Sequence, residues 1–159
     1  MRILSLVTNG HSVFYRQQRA SLRERGHDVE TLAVPGYSKS GDRSWTTYAR
    51  YYPRVLAAAF GDFDLVHANY GLTAPPAVIQ PTLPVVLTLW GSDVLGRYGR
   101  VSRYCARFAE EVVVMSAEMA GRIDRECHVI PHGIDLELFR PIPQSAARSE
   151  LGWDSDARY

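Results

Sequence analysis

Lysine, cysteine, net charge and long apolar runs are all scarce in this sequence, and each scarcity excludes something. Lys39 is the only lysine among 18 basic residues, a bias that fits a GC-rich genome and is given no functional weight. The formal net charge is +1, so no global field draws in nucleic acid. The two cysteines, Cys105 and Cys127, lie far apart without metal-ligand spacing and read as buried thiols in a reducing compartment. No apolar run is long enough to span a bilayer, and Met1-Arg2 leads into an apolar run too short for a secretory core. The chain therefore reads as cytoplasmic, with contact at the cytoplasmic face of a membrane left open.

What is present is a balance of 46% hydrophobic and 22% charged residues, ordinary for a folded domain and sufficient, at 159 residues, for one core. Short apolar runs alternate with longer helical patterns. Strands are predicted at Arg2–Thr8, Asp28–Val34, Leu65–Ala68, Val85–Leu89, Val112–Met115 and His128–Ile130. A helix is predicted from Val13 to Arg25, closed by Gly26. Pro35–Arg43 reads as a loop. Tyr48, Tyr52, Val55, Leu56 and Ala59 mark a second helix that Pro53 should kink or divide. Leu72–Gln80 reads as a short helix. The spacing of Val101, Tyr104, Cys105 and Phe108 marks an inward helical face, and Ser116 suits the N-cap of a helix carrying Met119, Ala120 and Ile123. Continuously apolar strands between helices predict an α/β fold: a Rossmann-like, doubly wound parallel sheet covered on both faces.

The end of the chain differs in character. Pro131–Asp135 reads as a turn, with Asp135 capping a short helical stretch over Leu136–Phe139. Pro141 and Pro143 make a stiff linker, Ser145–Leu151 reads as a helix stopped by Gly152, and Arg158-Tyr159 as the first residues of a strand. The expected division is a domain over 1–140 and an interdomain linker over 141–159.

In a doubly wound sheet ligands bind beyond the carboxyl ends of the strands. That rule selects Thr8–Ser12, His67–Gly71, Trp90–Asp93 and Ser116. The first loop has a single glycine, Gly10, and no G-x-G-x-x-G, which counts against a nicotinamide enzyme. Backbone amides at this helix start could meet a phosphate or a hydroxyl-rich ligand, but a plain strand-to-helix turn is the better reading of a single glycine. His67 is either a hydrogen-bonded structural residue or a ligand contact. Trp90 either packs in the core or offers a flat face on which a sugar stacks; Asp93 either caps the next element or accepts hydroxyl hydrogen bonds. Zinc spacing, a G-x-S-x-G elbow and a Walker A sequence are all missing. Asp62, Asp64, Glu110 and Glu111 precede strands and read as solvated edges. Arg43, Trp45, Tyr48, Arg50, Tyr51, Tyr52 and Arg54 form a basic, aromatic stretch, read as an amphipathic helix with Tyr48 and Tyr52 inward in preference to a membrane-surface or acceptor-binding face.

Together these segments resemble the N-terminal domain of a family 4 glycosyltransferase with the GT-B fold. The most specific piece is His128–Pro141, "HVIPHGIDLELFRP", where the family pattern is V-I-P-N-G-V-D-x-x-x-F-x-P. Ala147–Gly152 resembles the family's linker helix. Asp64–Gly71 followed by Pro84–Val94 resembles D-h-h-H-x-H-x-G … P-h-h-h-T-x-H-G-x-D. The resemblance implies transfer of a sugar from a nucleotide-sugar donor to a glycan, lipid or small-molecule acceptor, with retention and without a metal or other cofactor. It implies acceptor contacts at His67, Asn69, Trp90, Gly91, Ser92 and Asp93, donor phosphates near Gly10 and His11, and a hinge at His132 and Gly133. No catalytic residue is implied by it. The first loop lacks the family's glycine pair, Trp90 stands where many members carry a histidine near the reacting sugar, and His132 replaces the hinge asparagine. Stabilising a leaving diphosphate needs positive groups across the cleft, so the 159-residue chain is expected to be inactive alone. A stand-alone glycan- or lipid-binding module that pairs with a separate donor-binding subunit is the alternative. Half of a GT-B sugar-nucleotide epimerase is a third reading, which the hinge sequence disfavours.

Overall fold

A computed structural model describes residues 1–36, 43–154 and 157. Its centre is a six-stranded sheet: β1 (Arg2–Val7), β2 (Asp28–Ala33), β3 (Leu65–Asn69), β4 (Val85–Leu89), β5 (Glu111–Val114) and β6 (His128–Val129). Every pairing is parallel and the spatial order is β2-β1-β3-β4-β5-β6. The helices are α1 (Val13–Glu24), α2 (Trp45–Ala58), α3 (Ala74–Ile79), α4 (Ser92–Leu95), α5 (Gly99–Ala106), α6 (Ala117–Ala120) and α7 (Gln144–Glu150). The expected Rossmann-like fold is present. Ends move by a residue or two, as frayed termini do.

The strand order explains the layers. The step from β1 to β2 runs one way across the sheet, and every later step runs the other way. Right-handed crossovers then place α1 on one face and α2, α3, α5 and α6 on the opposite face. The larger core lies on that second face. Leu4, Leu6, Val66, Leu87, Leu89, Val112 and Val114 point into it and meet Tyr51 and Val55 of α2, Ala74 and Ala77 of α3, Cys105 of α5 and Met119 of α6. Full burial of each such leucine or valine contributes about 1.5–3 kcal/mol. Burial pushes the Cys105 thiol up to about 11, so it stays protonated. On the other face, Tyr15 of α1 packs with Ile3, Val7 and Val29 buried beneath it, and its hydroxyl lies 2.6 Å from Thr31 Oγ1.

Two expectations change. Helix α2 is not divided at Pro53. The proline lies on the exposed side, so the carbonyl it leaves unpaired faces water, while Tyr51 and Val55, both 0% exposed, hold the inner face. Tyr51 is more buried than Tyr48 and Tyr52, the two expected inward, and its hydroxyl donates to Leu32 O at 3.0 Å. Helix α5 is turned relative to its apolar spacing. Gly99, Ser102, Cys105 and Ala106 are buried, while Tyr104 and Phe108 are exposed and touch edge to face. Small residues face inward because the chain around Gly71 passes so close. Leu136–Phe139 makes the expected short helical turn, with the Phe139 amide donating to Asp135 O at 2.8 Å and Asp135 Oδ1 accepting from the Glu137 and Leu138 amides.

Ser116 caps α6 as expected, accepting from Met119 N at 3.3 Å. Asp62 and Asp64 bond Arg2 at the amino end of the sheet, and Glu111 meets His128 beside it. No helix among the described residues is long and apolar enough to cross a membrane. The expected strand start at Arg158-Tyr159 lies outside the described residues.

Candidate functional site

The winding direction reverses between β1 and β3, and a crevice of about 200 Å³ opens beyond their carboxyl ends. Its walls are Thr8, Asn9 and Ser12 from the loop before α1, Asn69 and Tyr70 from the end of β3, and Trp90 from the end of β4. Val7 and Tyr15 close its base. None of these side chains is charged at neutral pH. The crevice offers hydroxyls, amides and an aromatic plane.

Asn69 is 3% exposed. Its Nδ2 donates to Ser5 Oγ at 3.1 Å, while Oδ1 is buried without a partner. A buried acceptor left in that state costs about 1–3 kcal/mol. Tyr70 has φ +103°, a backbone conformation that costs a side-chain-bearing residue about 1–3 kcal/mol. The strain is held by the Tyr70 amide donating to Thr88 O and by the Thr73 amide and hydroxyl donating back to Tyr70 O. Strained and unsatisfied groups together mark this end of β3 as a site rather than a plain turn.

The turn after β4 is built around Asp93, which is fully buried. Oδ1 accepts from Trp90 N at 2.9 Å and Gly91 N at 2.8 Å, and Oδ2 accepts from Gly71 N at 2.9 Å. Burial raises the Asp93 pKa, and these amides pull against that rise. The carboxylate therefore ties the loop after β3 to the loop after β4, while α4 itself receives no side-chain cap. Ser102 Oγ donates to Asp93 O. A Cβ on Gly71 would stand 1.9 Å from Ser102 Oγ and 3.2 Å from Asp93 Cβ. Gly71→Ala is expected to cost about 1–3 kcal/mol through overpacking. Thermal unfolding of Gly71→Ala beside Gly71→Ala/Ser102→Ala checks the cause, because the double variant should recover at least half of the loss.

The remaining expected residues separate. Gly10 turns back toward Val7, Thr31 and Ala33, and His11 is exposed; neither lines the crevice. Ser92 is exposed, with its hydroxyl 3.1 Å from that of Tyr70 at the rim. Gly91, at φ +130°, makes the bend that presents Trp90. His67 lies inside β3, 8% exposed, with Nε2 2.8 Å from Thr88 Oγ1. Burial lowers its pKa to about 4. It faces a second hollow, a groove of about 570 Å³ along α1 and the face of β3, β4 and β5. Trp90 lines both hollows. The expected hinge residue His132 stacks on Phe14 and lies tilted against Trp90, with ring centroids 4.9 Å and 4.7 Å away, and it lines the groove, while Gly133 is exposed and its Cβ position is open. Ser116 caps α6 and lines neither hollow.

Sequence reasoning placed Arg43 in the basic, aromatic stretch and missed its contacts. Its guanidinium donates to the carbonyls of Thr8, Val34, Pro35 and Gly36, fastening the carboxyl ends of β1 and β2 beside the crevice. A lone arginine after a loop gives no such signal. Among the described residues no group of three His, Cys, Asp or Glu side chains could hold a metal ion.

The model of Glycosyltransferase Family 4 matches residues 6–138, most of the chain and every wall of the crevice. This chain belongs to glycosyltransferase family 4. A family relative, the MMP alpha-(1->4)-mannosyltransferase of Mycolicibacterium hassiacum, is 24% identical across 83% of this chain and 50% of its own. The structure resembles sucrose-phosphate synthase from Thermosynechococcus elongatus with a TM-score of 0.72 at 17% identity, covering 98% of this chain and 54% of that one. It resembles Anabaena HepE, solved with UDP and glucose, with a TM-score of 0.61 at 22% identity, covering 96% of this chain and 50% of that one. The chain thus spans about half the length of this relative and of these two structural neighbours.

Proposed function

We infer that this domain holds the acceptor for a retaining glycosyltransferase, which moves a sugar from a nucleotide-sugar donor to a glycan, lipid or small-molecule acceptor. The observation that carries the reading is the uncharged crevice. Thr8, Asn9, Ser12 and Asn69 offer hydroxyl and amide partners, and Trp90 offers an apolar plane. That chemistry suits a neutral, hydroxyl-rich ring. It does not suit a diphosphate, which needs cationic groups. The donor's phosphates therefore belong to the other half of a two-domain protein, with residues 141–159 as the link. The nucleotide sugar is a substrate, and neither a metal nor another cofactor enters the proposal.

The test has two levels. An intact protein containing this domain, titrated with a panel of nucleotide sugars, should release nucleoside diphosphate with one of them in the presence of acceptor. The 159-residue chain should bind neutral hexoses and transfer nothing; turnover by it would overturn the division of labour. Trp90→Ala should weaken hexose binding about tenfold, the equivalent of ~1.4 kcal/mol, in NMR titrations, and leave the unfolding midpoint within a few degrees. Unchanged affinity would remove Trp90 from the site.

A further inference from the structure

Helix α5 and the turns at its two ends carry an outer face that is basic and apolar at once. Between Asp93 and Glu110 the chain has four arginines, Arg97, Arg100, Arg103 and Arg107, and no acidic residue. Arg100, Arg103 and Arg107 recur at spacings of three and four residues, so they share one side of the helix. Val101, Tyr104 and Phe108 recur at the same spacings one residue later. The Arg107 and Phe108 amides still donate to Tyr104 O and Cys105 O, which carries the helical turn through both residues. Two stripes therefore run side by side, opposite the buried Gly99, Ser102, Cys105 and Ala106.

The apolar stripe faces solvent. Tyr104 is 62% exposed and Phe108 57%, with their rings edge to face at 5.3 Å. Leu95 and Tyr98, just before the helix, are exposed as well, and the Arg97 guanidinium carbon lies 5.7 Å from the centroid of the Tyr98 ring. Among the described residues, the one ion pair on this face joins Arg107 to Asp124 at 3.0 Å, and Arg103 donates to Val94 O at 3.4 Å. Arg97 and Arg100 stand exposed with no carboxylate set against them among the described residues. The other basic, aromatic stretch, from Arg43 to Arg54, differs: Tyr48, Tyr51 and Tyr52 pack toward the core, and Arg43 is bound to backbone carbonyls.

We propose that this face of α5 docks the domain on an anionic lipid surface. The arginines meet the headgroup phosphates, and Val101, Tyr104 and Phe108 enter the boundary between headgroups and acyl chains. The charge excludes a second copy of this chain, because a two-fold contact would set arginine against arginine. Pro131–Asp135, where the chain leaves the sheet, borders the groove beside α1 on the opposite face and does not lead onto α5. Docking would also orient the site. Ser102 Oγ donates to Asp93 O, and Gly71 fits closely against Ser102, so α5 is fixed to the loops that carry Tyr70 and Trp90. The docking does not depend on the sugar-binding reading of the crevice.

Vesicle flotation with the 159-residue chain tests this, using vesicles of phosphatidylcholine alone and of phosphatidylcholine with an equal part of phosphatidylglycerol. The chain should float with the mixed vesicles at low salt. It should stay behind with phosphatidylcholine alone, and in ~1 M salt, where charges are screened within about 3 Å. Arg97→Gln/Arg100→Gln should weaken binding about tenfold or more, since each arginine near such a surface contributes about fivefold. Tyr104→Ser/Phe108→Ser should weaken it about tenfold, and both double variants should keep the unfolding midpoint because the replaced side chains are exposed. Arg100→Gln and Phe108→Ser, each alone, serve in place of a double variant that does not fold, with smaller losses of the same sign. No flotation with mixed vesicles at low salt would overturn the proposal, as would flotation that every variant keeps. Binding of a short single-stranded oligonucleotide without vesicle binding, lost in the arginine variant alone, would make this a nucleic-acid surface and overturn it too. Hexose binding, read separately by NMR on the same variants, should be unchanged, so a failure at α5 leaves the sugar site standing.

Discussion

Replacing Asp93 by alanine is expected to lower the stability of the domain by about 3–5 kcal/mol, the largest effect of any single change at the site. The carboxylate is fully buried and accepts from three amides, those of Gly71, Trp90 and Gly91. Hydrogen bonds to a charged acceptor contribute about 1.5–3 kcal/mol each, and a buried donor left unpaired costs about 1–3 kcal/mol. The three share one acceptor, so their losses do not add in full. Against a total stability of about 5–15 kcal/mol for a domain, the variant stands close to unfolding. Asp93→Asn should lose less, because its one remaining carbonyl oxygen can serve the Oδ1 pair while its NH2 is set against the Gly71 amide. Urea denaturation checks both. A loss below about 1 kcal/mol in the alanine variant, less than one such bond contributes, would mean that the two loops hold each other without the carboxylate. The result bears on function because Trp90 and Gly91 are two of the tethered residues, so Asp93 fixes the loop that presents Trp90 to the crevice.

Much of the fold was legible because its cause is local. Strands such as Val85–Leu89 are apolar on both faces, and that pattern implies a covered parallel sheet. The orientation of α5 was not legible. Val101, Tyr104 and Phe108 have the spacing of an inward face, yet Ser102 and Gly99 take it, because the chain at Gly71 and the carbonyl of Val94 come too near for larger side chains. Only the tertiary approach supplies that constraint. At the site the carboxyl-end rule chose the right loops, but chemistry-bearing residues within them misled. Of the residues singled out, Asn69 and Trp90 line the crevice and Gly10, His11 and Asp93 do not, while Asn9 and Tyr70, not singled out, also line it. Alternation places His67 and Asn69 on one face of β3, and where α1 lies decides that one meets the groove and the other the crevice. The contact of Trp90 with His132 joins two of the three places at which this chain departs from the pattern it resembles. In one sequence nothing links positions so far apart.

The second large effect is on the pH dependence of stability. His67 is 8% exposed and burial lowers its pKa to about 4, against an ordinary value near 6.5. Above pH 6.5 the imidazole is neutral in both the folded and the unfolded chain, and the group contributes no slope. Between 6.5 and 4 the unfolded chain takes up a proton that the folded one refuses, so stability falls as pH falls. Below about 4 both forms are protonated and the slope ends. The share due to His67 between about pH 7 and pH 4.5 is expected to be about 2–3 kcal/mol at most. Asp93 works in the opposite sense, since its raised pKa makes stability fall as pH rises. The measurement is therefore a difference: urea unfolding of the unmodified chain and of His67→Gln at about pH 7, 5.5 and 4.5, values that span the window between the two pKa values. The variant should be the less stable at neutral pH and should lose clearly less on acidification. Parallel curves would show that His67 is protonated in the folded state or exchanges with solvent. A neutral His67 at neutral pH also limits the chemistry of the sheet face. Paired to the Thr88 hydroxyl, it can exchange hydrogen bonds with a ligand in the groove, but it brings no positive charge to a phosphate. Under the proposed acceptor-binding reading, the uncharged crevice and a neutral His67 would leave a donor diphosphate to be met from outside this domain.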